Sequence, residues 1–112
     1  MRNFLLATAV ALAGVVAVTA TAGAEALPEF HVQLQNHEFK PASLKVPANT
    51  KIKVLVTNHN PTPSEFESTD FNREKIVLPN STITVFIGPL GKGTYKFFDD
   101  FHQATTGILI VE

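Results

Sequence analysis

The chain has 112 residues, 45% of them hydrophobic, and nine basic residues nearly balance ten acidic ones to give a formal net charge of −1. A chain of this length forms at most one domain, and so weak a charge disfavours nucleic acid or an anionic membrane as its partner. The chain has no cysteine and Met1 is its single methionine, so beyond the N-terminus it offers neither a disulfide nor a soft sulfur ligand for a metal.

The N-terminal segment predicts export. A basic residue precedes an apolar run over residues 4–20, and residues 22–24, Ala-Gly-Ala, form the small-x-small pattern of a signal-peptide cleavage site. We therefore expect residues 1–24 to be a signal-peptide helix that is removed on export and residues 25–112 to be the mature domain. The alternative is an uncleaved membrane anchor, which the Ala-rich composition of the run disfavours.

The mature chain alternates apolar and polar residues in short runs, which turn residues interrupt at roughly 8–12-residue spacing. No helical period occurs between them. This pattern predicts an all-β fold, a Greek-key β-sandwich of seven or eight strands. Pro41 lies inside the second run and indicates an edge strand or a bulge there. The predicted strands cover residues 30–35, 39–46, 52–56, 65–68, 73–78, 82–87, 95–98 and 107–111.

A cluster of polar side chains lies between the last two predicted strands. Asp99, Asp100 and His102 fall within four residues, and three phenylalanines surround them. Aspartates at the end of a strand can simply cap a turn, and a lone histidine is often a structural hydrogen-bond donor. Burying two carboxylates among aromatic rings is costly, however, unless a cation or strong donors compensate. The cluster therefore indicates a metal or proton site.

Two further carboxylates follow the proline-rich loop over residues 61–63. Glu65 and Glu67 are two apart on a predicted strand, so they share one face while Phe66 points to the other. A solvent-exposed polar face explains such a pair equally well in general. The rigid loop before this strand favours a functional pair at the end of the sandwich.

The remaining histidines are weaker candidates. His31 lies on the polar face of the first strand, His37 lies in a turn beside Glu38, and His59 precedes the proline-rich loop. The sequence has no nucleophile motif and no glycine-rich loop that opens a helix, which argues against a hydrolase or a phosphate-binding enzyme.

Several motifs in this order resemble a cupredoxin over residues 30–112. They are Phe39-Lys40-Pro41, Leu44-Lys45-Val46-Pro47-Ala48, Val54-Leu55-Val56-Thr57-Asn58, Gly93-Thr94-Tyr95-Lys96-Phe97, His102 and Gly107-Ile108-Leu109-Ile110-Val111. Three others are similar to bacterial EfeO-type cupredoxin-like domains, which accompany periplasmic iron-uptake systems. These are Pro61-Thr62-Pro63-Ser64-Glu65-Phe66-Glu67-Ser68, Asn72-Arg73-Glu74-Lys75 and Phe97-Phe98-Asp99-Asp100-Phe101-His102.

The chain departs from the blue-copper pattern at three of its four ligands. Ser64 stands where that pattern has a histidine, Asp99 stands where it has the cysteine, and no methionine follows His102, which matches the second histidine. The colour and potential of such a site depend on the copper–thiolate bond, so the sequence excludes an ordinary blue-copper electron carrier.

The resemblance therefore implies a carboxylate-rich metal site in a periplasmic protein that assists ferrous-iron uptake, by metal binding and by iron oxidation or transfer to a permease. Iron is the expected metal, with type 2 copper as the alternative. The expected partners are an inner-membrane iron permease and a periplasmic copper- or iron-binding protein. Accessory ferroxidase activity and homodimerisation are left open, and the alternative functions are a type 2 copper carrier or chaperone and a metal-free module that binds a partner protein. In order, the expected ligands are His102, Asp100, Glu67, Glu65 and Asp99, with Ser64 and His59 supporting them.

Overall fold

The computed structural model describes residues 26–112, so the predicted signal peptide lies outside the described residues. Within 26–112 the chain forms nine β-strands and no helix, and hence no helix that could cross a membrane. The strands are β1 (Glu29–Gln35), β2 (Glu38–Lys40), β3 (Ser43–Val46), β4 (Ile52–Asn58), β5 (Ser64–Ser68), β6 (Arg73–Val77), β7 (Ser81–Ile87), β8 (Gly93–Asp99) and β9 (His102–Val111).

The strands form two sheets, in the orders β2-β1-β4-β7 and β3-β9-β8-β5-β6. β1 pairs with β4 and β3 pairs with β9 in parallel, and the other neighbouring strands are antiparallel. The all-β sandwich predicted from the sequence is thus confirmed.

The structure has nine strands where the sequence predicts seven or eight, because the run over residues 39–46 is divided at Pro41. Its first part is β2, at the edge of the four-stranded sheet, and its second part is β3, at the edge of the other sheet. Proline has no backbone N–H to donate, and an edge position tolerates that loss. The chain therefore changes sheets at the proline.

The core lies between the two sheets and consists of the apolar side chains that point inward from both of them. At the end nearest the β8–β9 loop, Phe39 of one sheet packs edge-on against Phe97 of the other, with ring centroids 4.8 Å apart. Phe66 stacks on Phe97 at 5.2 Å. All three rings are almost fully buried, and each such burial contributes about 1.5–3 kcal/mol. This aromatic cluster supports the end of the sandwich that carries the polar residues.

Asn58 at the end of β4 fixes the proline-rich loop. Its side chain is completely buried, and its Nδ2 donates to the carbonyl oxygens of Thr62 (2.9 Å) and Val77 (3.1 Å). Its Oδ1 accepts a hydrogen bond from the backbone amide of Asn60 (2.9 Å). These bonds replace the regular strand pairing that prolines prevent, so the loop delivers β5 in a defined position.

Candidate metal centre

Strand β5 presents two carboxylates on the outer face of the five-stranded sheet. Ser64, Phe66 and Ser68 point inward and are buried, whereas Glu65 and Glu67 alternate with them and are half-buried. Residues two apart on a strand share a face. The two glutamates therefore point the same way, as the sequence pattern predicts.

The loop between β8 and β9 brings a third carboxylate to this pair. The backbone amide of Asp100 donates to the carbonyl oxygen of Glu65 (2.9 Å), and Asp100 Oδ1 accepts a hydrogen bond from Nε2 of Gln103 (2.9 Å). One carboxylate oxygen from each of Glu65, Glu67 and Asp100 lies within 4.8 Å of the other two. Oxygens at such distances can converge on one cation through bonds of about 2.0–2.6 Å.

A fourth carboxylate, from Glu74, belongs to the same surface and was not among the predicted ligands. It lies directly opposite Glu67 in the antiparallel ladder of β5 and β6. The hairpin register could have revealed it, because Ser68 pairs with Arg73 across a short connection and the next pair outward is then Glu67 with Glu74.

The crowding of these carboxylates changes their acidity. Partial burial, then a hydrogen bond to Glu74 and its charge, raise the pKa of Glu65 from 4.5 to about 7, with further repulsion from Asp100 and Glu67. Partial burial and the charges of Asp100 and Glu74 also raise the pKa of Glu67. In the described part of the chain, no lysine or arginine forms a salt bridge with these four groups. A bound cation would supply the missing counter-charge.

Asp99 lies on the opposite, inner face and is completely buried. Its Oδ1 accepts hydrogen bonds from the backbone amides of Glu65 and Phe101, both at 3.0 Å. Its Oδ2 lies 3.6 Å from Nδ1 of His102, which is too long for a hydrogen bond. The buried carboxylate is therefore satisfied on one oxygen and faces an imidazole with the other.

Four buried polar atoms at this end of the sandwich have no hydrogen-bond partner among residues 26–112. They are Asn60 Nδ2, Ser64 Oγ, Asp99 Oδ2 and His102 Nδ1. Such atoms are uncommon in folded proteins because each costs free energy when it is removed from water. Two of the four, on Asp99 and His102, face each other.

His37 packs against this group. Its ring stacks on that of His102, with centroids 4.1 Å apart and an angle of 30° between the planes. Its backbone amide donates to Oδ1 of Asn60 (3.3 Å), and its carbonyl oxygen accepts from Oγ1 of Thr105 (2.6 Å). His37 adopts a positive φ of 58°, which is uncommon for a residue other than glycine. No sequence pattern links His37 with His102, because the two residues are distant along the chain.

The other two histidines lie apart from the carboxylates. His31 is exposed, and its Nε2 forms a hydrogen bond with Oε2 of Glu29 (2.8 Å). His59 is also exposed, and its backbone amide donates to the carbonyl oxygen of Leu34 (2.8 Å). Neither is a member of the three-carboxylate group.

The structure thus divides the five predicted ligands between two faces of one sheet. Glu65, Glu67 and Asp100 converge on the outer face, while Asp99 is buried on the inner face, where its Oδ2 faces Nδ1 of the partly exposed His102. The sequence could not show this division for Asp99, Asp100 and His102. They lie at the ends of β8 and β9 and in the turn between them, where the pairing is irregular and the direction of a side chain depends on local hydrogen bonds.

Comparisons with known proteins agree with this architecture. Residues 7–111 match the family described as Cupredoxin-like domain. An uncharacterized protein of Rickettsia prowazekii (strain Madrid E) is 43% identical over 84 residues, which cover 74% of this chain and 67% of that protein.

Three solved structures share the fold at low sequence identity. The metal-binding domain of the Cu(I)-exporting P-type ATPase CopA of Streptococcus pneumoniae D39 has a TM-score of 0.69 at 12% identity, covering 75% of this chain and 84% of that one. Auracyanin of Roseiflexus castenholzii has a TM-score of 0.63 at 14% identity, covering 78% and 98%. A purple cupredoxin of Nitrosopumilus maritimus has a TM-score of 0.58 at 19% identity, covering 73% and 98%.

Proposed function

Because the chain belongs to the cupredoxin-like domain family, we propose that it is a periplasmic metal-binding protein that assists iron uptake, with Glu65, Glu67 and Asp100 as its principal metal ligands. The observation that carries this proposal is the convergence of these three carboxylates within 4.8 Å. The resemblance to EfeO-type domains supports the role in iron uptake and the periplasmic location.

The electrostatics of the group support cation binding. Four carboxylates on one face repel each other, and this repulsion contributes to the raised pKa values of Glu65 and Glu67. A cation replaces the proton that Glu65 otherwise retains near neutral pH, and it offsets the repulsion among the others. Repulsion among these groups destabilises the metal-free protein, and a bound cation removes that destabilisation.

The ligand chemistry favours iron over soft metals. Carboxylate oxygens suit hard and borderline cations, and they stabilise ferric iron more than ferrous iron. Bound iron would therefore lose an electron more readily, and a separate electron acceptor, dioxygen or a copper protein, would have to take it up. We propose binding and transfer to an iron permease as the main role, with assistance to oxidation as an extension of the same chemistry.

Copper, the metal named for the CopA metal-binding domain, has a second candidate position at Asp99 and His102. The donors there are one carboxylate and one imidazole. The buried, unpartnered Ser64 hydroxyl points to the same face of the sheet, two residues along β5 from Phe66, which pairs with Asp99. The chain has no cysteine, so this donor set does not fit a thiolate-bound blue-copper centre. It fits type 2 copper, and the unpartnered Asp99 Oδ2 and His102 Nδ1 are the specific observation that favours this second function. Copper bound there would supply a second cation, or one-electron chemistry.

Metal titration tests the proposal against a metal-free binding module. Dialysed protein is titrated with Fe(II) under anaerobic conditions and with Mn(II) as a redox-stable oxygen-preferring probe, and bound metal is measured by calorimetry and elemental analysis. We expect one equivalent to bind, and Glu67→Gln to weaken binding by about tenfold or more. The matched control is Glu38→Gln, which alters an exposed glutamate on the other sheet.

Two results would contradict the proposal. Absence of stoichiometric Fe(II) and Mn(II) binding to the wild-type protein would favour the metal-free module. Equal binding by Glu67→Gln and Glu38→Gln would show that the carboxylate group is not the site.

A further inference from the structure

The strand that carries the two glutamates has only a short direct connection to the strand that leads to Asp100. β5 and β8 pair at two positions, Phe66 with Asp99 and Glu67 with Phe98. The pairing of β8 with β9 is irregular at the same point, between Phe98 and Asp99. Regular backbone pairing therefore ends just before the loop that holds Asp100.

Beyond that point, the connection between Glu65 and the loop depends on two hydrogen bonds. The backbone amide of Asp100 donates to the carbonyl oxygen of Glu65 (2.9 Å), and the backbone amide of Glu65 donates to Oδ1 of Asp99 (3.0 Å). In the second bond the acceptor is a side-chain oxygen and not the backbone carbonyl of a neighbouring strand. It therefore continues the contact between β5 and the loop beyond the last backbone pair.

Asp99 Oδ1 also binds the backbone on the C-terminal side of Asp100. Asp99 Oδ1 accepts a hydrogen bond from the backbone amide of Phe101 (3.0 Å), the residue after Asp100. One carboxylate oxygen is thus bonded to the ligand strand and to the loop that carries the third ligand. Asp99 is completely buried, so these hydrogen bonds are protected from competition with water.

We propose that Asp99 is a positioning residue for the carboxylate metal site, which it holds in place from the opposite face of the sheet without being a ligand of that site. This inference rests on the proposed function of Glu65, Glu67 and Asp100. Without Asp99 Oδ1, the loop and β5 can separate, and the three ligand oxygens no longer converge. The sequence position that carries the cysteine in blue-copper proteins thereby serves a neighbouring site.

Two substitutions separate positioning from ligation and charge. Asp99→Asn retains an acceptor oxygen for the amides of Glu65 and Phe101, and its new amide group can donate to Nδ1 of His102. Asp99→Ala removes the acceptor. We expect Asp99→Ala to weaken Mn(II) binding by about tenfold or more, as loss of outer supporting groups commonly does, and Asp99→Asn to stay within about threefold of wild type.

A matched control on the same two strands tests for general loosening. Ser68 is buried on β5, and its Oγ donates to the carbonyl oxygen of Lys96 on β8 (2.6 Å), at the far end of the strand from Glu65. It also accepts from the amide of Phe71 (3.2 Å). Ser68→Ala should lower the melting temperature but leave Mn(II) affinity unchanged.

The outcomes distinguish this inference from the proposed function. If the wild-type protein binds no Mn(II), the proposed function fails. If the wild type binds but Asp99→Ala binds equally well, the positioning role fails alone. Equal losses in Asp99→Asn and Asp99→Ala would show that Asp99 acts through its charge or as a ligand, and an equal loss in Ser68→Ala would attribute the effect to general destabilisation.

A second measurement needs neither a folded alanine variant nor bound metal. Amide hydrogen exchange in the wild-type protein should show protection at Glu65 and Phe101, and Asp99→Asn should retain it. Rapid exchange at both amides in the wild type would overturn the inference, because the two hydrogen bonds that carry it would then not persist in solution.

Discussion

Glu67 and Glu74 lie directly opposite each other across the β5–β6 ladder, on the outer face that also carries Glu65. Like charges in opposing positions destabilise a sheet, so a metal-free protein carries a cost here that a cation removes. Glu74→Gln should therefore raise the melting temperature of the metal-free protein at about pH 7.5 and lower the pKa of Glu65. It should also weaken Mn(II) binding by about three- to tenfold, because an attractive charge is lost.

Thermal melts with and without Mn(II) check this prediction, with Glu38→Gln as the control. A Glu74→Gln variant that is less stable than wild type without metal would contradict the repulsion argument. So would one that binds Mn(II) more tightly.

The raised pKa of Glu65 predicts an unusual dependence of stability on pH. Its pKa is about 7 in the folded protein against 4.5 ordinarily, so between these values the folded state holds more protons than the unfolded state. Stability must then decrease as pH rises through this window. The metal-free protein should be more stable to urea at about pH 5 than at about pH 7.5, and Glu65→Gln should reduce the difference.

Urea denaturation of metal-free protein at the two pH values measures this effect. Glu38→Gln should keep the wild-type dependence. Stability that increases steadily from about pH 5 to 7.5 would show that Glu65 ionises normally and that the carboxylates are not crowded in solution.

The division of the ligands between two faces predicts that copper and manganese respond to different substitutions. His102→Ala should abolish the nitrogen hyperfine signal of bound Cu(II) in electron paramagnetic resonance but leave Mn(II) affinity within about twofold. Glu67→Gln should weaken Mn(II) binding but keep the nitrogen hyperfine signal of Cu(II), because oxygen ligands suit Mn(II) and imidazole suits Cu(II). If His102→Ala weakens Mn(II) binding as much as Glu67→Gln does, all five residues serve one site.

A glycine beneath the aromatic cluster gives a prediction for stability. A Cβ at Gly107 would collide with the ring of Phe97, whereas one at Gly91 meets no atom within 4 Å. Because Phe97 is almost fully buried between the sheets, its ring cannot move freely, and overpacking of this kind costs about 1–3 kcal/mol. Gly107→Ala should lose that much free energy of unfolding in urea, while Gly91→Ala should change it little. Equal stability of the two variants would contradict the packing described here.

Much of the fold could be predicted because alternation reports directly which face of a strand is buried. Val54 and Val56 on β4, and Phe66 between its two glutamates, lie where the period of two puts them. The division of one run into β2 and β3 at Pro41 could not be predicted, because alternation does not say which sheet a strand joins.

The site was less predictable, because alternation gives the direction of side chains along a strand but not their direction in a loop or their long-range contacts. Glu65 and Glu67 follow from strand alternation, but Asp99 and Asp100 are adjacent, and only the loop's hydrogen bonds decide which one joins the glutamates. Glu74 could have been found from the register of the short β5–β6 hairpin, but the stacking of His37 on His102 depends on how two distant turns meet. A long-range contact of this kind leaves no periodic signal in the sequence.

The most direct test of the carboxylate site is an anomalous-difference map from crystals soaked with Fe(II) or Mn(II), recorded at the absorption edge of the metal. We predict a peak on the outer face of the five-stranded sheet, coordinated by Glu65, Glu67 and Asp100. A map with no peak there, or with its only peak between Asp99 and His102, would contradict the central claim.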